Sequence, residues 1–417
     1  MNILIIEAYT DANVGSSALV ENSIRICQMR FPGSKIQVMA HHPQSLENMH
    51  GCKAVQDVYD YPLLQPRGKQ VIWLIRQLIC MALAWKMAKK RECTLRVPGK
   101  IPQWNLESFF WADLIISIGA ERLNDKFYKG IPFSVFTYLL CKRMGKRVVL
   151  FPQTIGPFFF IWSRIIIIKA LRAVDQIYVR DEESYRIVTG QLGIDSAKVI
   201  RSPDMAILQT PIQPARARKL ISLKSEEKVV GISALRWNYF KNKAETPYAS
   251  YQSYRREMAH LADELIDRYR IRIIFFPTNF QVHGCREDDV KTAEEIYHLM
   301  LHKERAMIIR RLPSPAELQG MLGCCEINIT TRMHACILST CAYVPTISVN
   351  YLFKIKEYME SLGLGAFSID IEDFHAEAVL PLFDRLWGER ESWRRHLTAA
   401  VAHKRSLLMQ AMEALEA

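Results

Sequence analysis

The stretch EINITTRMHACILSTCAYVPTISVN, residues 326–350, decides the fold. Its two ends, EINIT (326–330) and PTISVN (345–350), are short apolar runs of strand type. Between them RMHACILSTCAY (332–343) has helical spacing and stops ahead of Pro345. Strand, helix and strand in so few residues read as one crossover unit of a parallel sheet. The turn into that helix holds Thr330, Thr331, Arg332 and His334. Either threonine can cap the helix. The positive end of a helix disfavours cations, so Arg332 and His334 do not serve helix stability there; a bound anion removes the conflict.

The same rhythm extends in both directions. NILIIEA (2–8), KIQVMA (35–40), DLIISIG (113–119), RVVLFPQ (147–153) and QIYVRD (176–181) read as strands separated by helical stretches. A second set runs through KVVGISAL (228–235), RIIFFPT (272–278) and AMIIRR (306–311). Pro211, Pro214 and a basic cluster separate the two sets. The expected plan is α/β: a Rossmann-like N-terminal domain over 1–205, a linker over 206–227, a second such domain over 228–371 and a helical tail over 372–417. Open parallel sheets bind ligands beyond the carboxyl ends of their strands, so a cleft between two facing domains is the expected site.

Composition narrows the chemistry. The chain of 417 residues is 49% hydrophobic and 24% charged, enough apolar residue for two cores and little room for extended disorder. Its net charge of +12 favours an anionic partner. Nucleic acid is not expected, since no helix-turn-helix, zinc-finger or RNP-like pattern accompanies the charge. The ten cysteines form no C-x-x-C pair and suit a reducing, cytoplasmic setting. No metal-binding pattern such as H-E-x-x-H is present, so no metal is expected. The start MNILIIEA reads as a strand and not as a signal peptide. VIWLIRQLICMALAWKM (71–87) and FFFIWSRIIIIKALR (158–172) are apolar but interrupted by Arg76, Lys86, Arg164 and Lys169. They read as core or groove-lining helices; the competing reading is a basic, apolar surface in peripheral contact with the inner face of the cytoplasmic membrane.

Further polar residues stand at strand ends. DANVGSSAL (11–19) offers Asn13 and Gly15 in a loop that opens a helix, with Ser16 or Ser17 as its cap. SIGAERLND (117–125) brings Gly119, Glu121 and Asn124, and FPQTIGPF (151–158) brings Gln153, which turn chemistry does not explain. In the second half Arg236 follows a strand, His283 precedes Asp288 and Asp289, and Lys354 follows the strand SVN. Lys354 is expected beside Arg332, because successive parallel strands set their exit loops side by side.

Taken in order, NVGSSAL, DLIISIGAERLND, FPQTIGPF, VRDEESYRIV with SPDMAIL, and TRMHACILSTCAYVPTISVNYLFKIKEYMESLGL resemble the polysaccharide pyruvyl transferase family. The resemblance implies a GT-B-like fold of two facing Rossmann-type domains with an interdomain cleft. It implies phosphoenolpyruvate as co-substrate, no further cofactor, and as acceptor a sugar diol of a cell-surface polysaccharide or its lipid-linked precursor, converted to a cyclic ketal. The family's catalytic histidine corresponds to His334 and its basic residues to Arg332 and Lys354. Arg236 and His283 are lesser donor-side candidates. Asn13, Gly15, Gly119, Glu121, Asn124 and Gln153 are the expected acceptor side. The family often has Gly-Asp at Gly15-Ser16 and a run of glycines at 119–122. Two other readings compete: a nucleotide-sugar-dependent glycosyltransferase on the same fold, and a non-enzymatic assembly partner.

Overall fold

The computed structural model describes residues 1–8, 10–59, 67–90, 106–237, 247–282 and 288–416. Their strands form two sheets, and every strand pair in both is parallel. The chain divides into a first unit of residues 1–11, 19–205 and 407–417, and a second of residues 12–18 and 206–406.

The first unit contains β1 (Asn2–Ala8), β2 (Lys35–Ala40), β3 (Lys53–Gln56), β4 (Leu114–Ser117), β5 (Ala120–Leu123), β6 (Arg147–Ile155), β7 (Gln176–Val179) and β8 (Val199–Arg201). They lie in the order β3-β2-β1-β4-β6-β7-β8, with β5 also paired to β6. Helices α1 (Val14–Arg30), α2 (Pro43–His50), α3 (Arg67–Lys90), α4 (Glu107–Trp111), α5 (Ile131–Arg143), α6 (Ile161–Ala173) and α7 (Glu182–Arg186) connect them. The first residues of α1, up to Ala18, group with the second unit. Ile3 to Ile6 of β1 are buried throughout, as a central parallel strand covered on both faces requires.

The second unit orders its strands β11-β10-β9-β12-β13-β14: β9 (Val229–Ser233), β10 (Arg272–Phe275), β11 (Ala306–Ile308), β12 (Ile327–Thr330), β13 (Thr346–Asn350) and β14 (Ser368–Asp370). This is the doubly wound order with its switch point between β9 and β12. Its helices are α8 (Pro214–Leu220), α9 (Pro247–Tyr269), α10 (Asp289–Leu299), α11 (Pro315–Leu322), α12 (Met333–Cys341), α13 (Phe353–Ser361), α14 (Ala376–Gly388) and α15 (Arg390–Glu413). Ile232, Ile273, Ile329 and Ile347 from four strands share one core with Phe383 and Leu397 from α14 and α15. Each such side chain contributes about 1.5–3 kcal/mol by leaving water.

Three expected boundaries shift. Residues 206–227 are no loose linker: α8 packs on α11, the Ile212 N–H donates to the Ala316 carbonyl at 3.0 Å, and Ile221 joins the core. Apolar side chains in this segment, Ile212 and Ile221 among them, draw it onto the second unit. The tail is no separate element either, since α14 packs on α9 and fills the core. Its last residues belong to the first unit, where Arg30 donates to the Glu413 carbonyl at 2.8 Å and Gln176 to that of Ala414 at 2.6 Å.

The motifs VRDEE and SPDMA meet in a buried knot. Arg180 binds Asp204 at 2.5 Å and donates to Thr154 Oγ1 at 3.0 Å, while Thr154 donates to Asp181, the cap of α7. Both ends of the Arg180–Asp204 pair are almost wholly buried. Asp204→Ala leaves the guanidinium without its counter-charge and is expected to cost about 3–5 kcal/mol in urea denaturation followed by first-unit tryptophan fluorescence.

Candidate functional site

At the switch point of the second sheet, Thr330 at the end of β12 lies opposite Ser233 at the end of β9. The expected threonine cap does not form: Thr331 Oγ1 bonds the Tyr254 hydroxyl at 2.8 Å, and the residue at the cap position is Arg332, in extended conformation with no side-chain cap. His334 is the second residue of α12 and is half-buried. The rest of α12 is buried and mostly apolar, which fixes its first turn at the sheet edge.

Arg332 is turned toward a carboxylate. Its Nε and Nη2 donate to Asp289 at 3.1 and 2.6 Å. Asp289 is 1% exposed, and its Oδ2 also accepts from the N–H of Thr278 (3.1 Å), the hydroxyl of Thr278 (3.1 Å) and the N–H of Asn279 (3.0 Å). A buried carboxylate needs this many donors to offset its lost hydration. Asp288 caps α10 by accepting from the Lys291 N–H at 3.2 Å, as a helix start demands.

The loop so pinned carries the next part of the site. The Val14 N–H donates to the Thr278 carbonyl at 2.9 Å and the Phe280 N–H to the Ala12 carbonyl at 3.0 Å, with Asn13 and Asn279 forming an antiparallel bridge between them. Asn13 Oδ1 accepts from the Ser16 N–H at 2.9 Å, so Asn13 caps α1 where Ser16 or Ser17 is expected. Gly15 follows, and a Cβ there would stand 2.1 Å from His334 Nδ1. The imidazole therefore lies directly against glycine backbone. Asn13 and Gly15, expected on the acceptor side, belong with His334 because backbone pairing with residues 278–280 draws them there.

The remaining donor-side candidates follow neighbouring strands. Arg236 comes just after β9, is exposed, and holds its guanidinium 5.5 Å from the Tyr251 ring centre. Lys354 is the second residue of α13, after β13, and is buried. Since β9, β12 and β13 are adjacent, Arg236, His334 and Lys354 follow three strands in a row. His283 lies outside the described residues.

In the first unit the expected acceptor residues prove mostly structural. Gly119 has φ +91 and a Cβ would stand 2.4 Å from the Pro152 carbonyl oxygen, so it serves close backbone packing. Asn124 caps a short turn by accepting from the Lys126 N–H at 3.0 Å. Gln153 is wholly buried in β6 opposite Ala120, with no surface for a ligand to touch. Glu121 is half-buried in β5.

A different group occupies the carboxyl edge of this sheet. Glu7, near the end of β1, accepts from the hydroxyls of Ser117 (2.5 Å), Ser134 (2.5 Å) and Tyr138 (2.7 Å), with Arg122 at 3.7 Å. Its backbone has φ +68, a costly conformation for a side chain of this size. His41, after β2, stands 3.6 Å from Asp57, after β3. Burial pushes the Asp57 carboxyl up to about 6, with Glu7 adding to the rise and Arg122 opposing it. One sign of this cluster is in the sequence: Glu7 interrupts an otherwise apolar strand.

Comparison with known proteins adds three results. A family model described as polysaccharide pyruvyl transferase matches residues 13–352, a span that contains Gly15, Asp289, Arg332 and His334. The amylovoran biosynthesis protein AmsJ of Erwinia amylovora is 20% identical over 98% of this chain and 97% of its own length. Among solved structures, the UDP-GlcNAc 2-epimerase of Methanocaldococcus jannaschii superposes with a TM-score of 0.58 at 12% identity, covering 93% of each chain. A glycosyltransferase from Rickettsia africae gives 0.55 at 9% identity, covering 99% of each. These two likenesses establish the GT-B-like fold.

Two outcomes test the geometry. Gly15→Ala forces the His334 ring aside and is expected to cost about 1–3 kcal/mol in urea denaturation, whereas Gly68→Ala, with open space around it, is expected to stay within about 0.5 kcal/mol. For Asp57, the folded state holds its proton up to about pH 6 while the unfolded chain releases it near 3.8. The fold then binds more protons than the unfolded chain, and stability falls as pH rises through that window. Thermal denaturation of Asp57→Asn from pH 4 to 7 is expected to show that fall reduced relative to the parent.

Proposed function

The chain belongs to the polysaccharide pyruvyl transferase family, and we propose that it moves a pyruvyl group from phosphoenolpyruvate to two hydroxyls of a sugar, forming a cyclic ketal on a glycan or its lipid-linked precursor. The observation that carries this reading is the placement of His334. It stands at the sheet's switch point, in the first turn of α12, and is held against Gly15. An anionic donor suits the N–H groups of that turn and Lys354 and Arg236, which follow the two neighbouring strands.

In the proposed reaction His334, as imidazolium, gives its proton to the methylene carbon of phosphoenolpyruvate. One sugar hydroxyl attacks the cationic C2 and releases its proton. Phosphate then departs with the C–O bonding pair, and the second hydroxyl closes the ring with loss of its own proton. Lys354 acts as a point charge on phosphate or carboxylate. Arg332, with two donors on Asp289, acts chiefly as a positioning residue for the Gly15–His334 contact. A sugar's hydroxyls suit carboxylates such as Glu7 and Asp57 at the first unit's sheet edge. Phosphoenolpyruvate as donor places the reaction in the cytoplasm.

The test is incubation with phosphoenolpyruvate and a panel of glycan precursors, following phosphate release and the mass of a ketal. His334→Ala is expected to lower turnover by about 10²–10⁴-fold with the fold retained; an unchanged rate removes His334 from the chemistry. Lys354→Met is expected to raise the KM for phosphoenolpyruvate by roughly 10–100-fold, the loss of one charge-assisted contact. Calorimetry with UDP-sugars in place of phosphoenolpyruvate separates this reading from a nucleotide-sugar transferase.

A further inference from the structure

Helix α3 turns its small residues inward and its large ones outward. Cys80, Ala84 and Ala88 are at most 3% exposed, whereas Ile72, Ile75, Leu78 and Ile79 are each at least 42% exposed. A second apolar stretch leads into α6, where Phe159 is 79% and Ile161 77% exposed. Of the 21 exposed large hydrophobic residues among those described, 14 lie in α3 or between residues 127 and 165. A soluble surface scatters such residues singly.

The two stretches belong to one layer. α3 packs against α5 and α5 against α6, and all three feed the same core. Trp73 of α3 meets Phe133 of α5 with ring centres 5.5 Å apart, and Tyr128 meets Phe160 at 5.9 Å. The loop ahead of α6 is tied down, because the Asp125 carboxylate accepts from the N–H groups of Phe159 and Phe160.

The charge of this layer has one sign. Over residues 67–90, 126–143 and 157–173 the sequence holds 13 Lys or Arg and no Asp or Glu. We propose that the outer face of α3 and the aromatic stretch before α6 rest on an anionic lipid bilayer, with Ile, Leu and Phe below the headgroups and Lys and Arg among them. A second copy of the chain fits poorly, since a symmetric contact would set the basic layer against itself. A nucleic acid would leave the isoleucines without apolar partners. α3 lies on the bilayer and does not cross it, because its Cys80–Ala84–Ala88 stripe is committed to the core. The docking stands without the transferase reading. Only its corollary rests on that reading: a lipid-linked acceptor would arrive near the helix starts beside Glu7 and Asp57.

The experiment is flotation of the full chain with vesicles of phosphatidylcholine alone and with about one-third phosphatidylglycerol, at low and high salt. The chain is expected to float with the anionic vesicles at low salt, at least about 10-fold more than with neutral ones. The double variants Ile75→Glu/Leu78→Glu and Phe159→Ser/Ile161→Ser are each expected to lower binding about 10-fold or more with unchanged circular dichroism, since the altered side chains are exposed. No flotation at low salt overturns the proposal. So does a lipid-free dimer that Ile75→Glu/Leu78→Glu converts to monomer, because the face is then a subunit contact. Binding is read without turnover, so neither outcome bears on the pyruvyl-transfer reading.

Discussion

A buried carboxylate organises the second unit. Asp289 sits where water cannot solvate it, and the fold offsets that cost with five donors from two separate stretches. Each donor is thereby fixed. Arg332 is drawn to one side of the turn into α12, and Thr278 and Asn279 are held at the shape that accepts residues 12–14 as a pairing partner. Gly15 and His334 meet as a result. The imidazole owes its place to a buried charge, and support of this kind is what lets a side chain hold one geometry.

The first unit uses the opposite economy. Around Glu7 the donors are hydroxyls from Ser117, Ser134 and Tyr138, with a guanidinium further off. Hydroxyls can reorient or exchange partners, whereas the fork on Asp289 has one good arrangement. The strained backbone at Glu7 persists only because its side chain is so thoroughly engaged. The second unit's centre is therefore the more rigid and the first unit's the more adaptable.

The sheets were legible because parallel strands buried on both faces leave continuous apolar runs, as in residues 3–6 and 273–276, and because crossover helices keep their period. The turn that carries His334 stood out because an arginine at a helix start is out of place for stability. The partner of Arg332 was not, since Asp289 lies 43 residues away and a salt bridge has no periodicity. Nor was the move of Asn13 and Gly15 to the second unit, because backbone pairing with residues 278–280 depends little on side chains. Asn124 and Gln153 looked available as polar groups at strand ends, yet one is spent on a turn and the other is enclosed. The stretch 71–87 read as core by its apolarity. The inward stripe of small residues at 80, 84 and 88 was the better guide, since a helix seats its small side chains where it must approach a neighbour closely.

The sulfur of this chain has a practical consequence. Burial lifts the thiols of Cys141 and Cys336 to about 12 and raises those of Cys27 and Cys325 as well, so thiolate at neutral pH is negligible at these positions. Cys336 packs against the Met359 thioether 3.4 Å away, as one more piece of filling. Alkylating reagents and mild peroxide should leave these four untouched while the native state lasts. Their labelling becomes a clock for global opening, one that runs without any knowledge of the substrate.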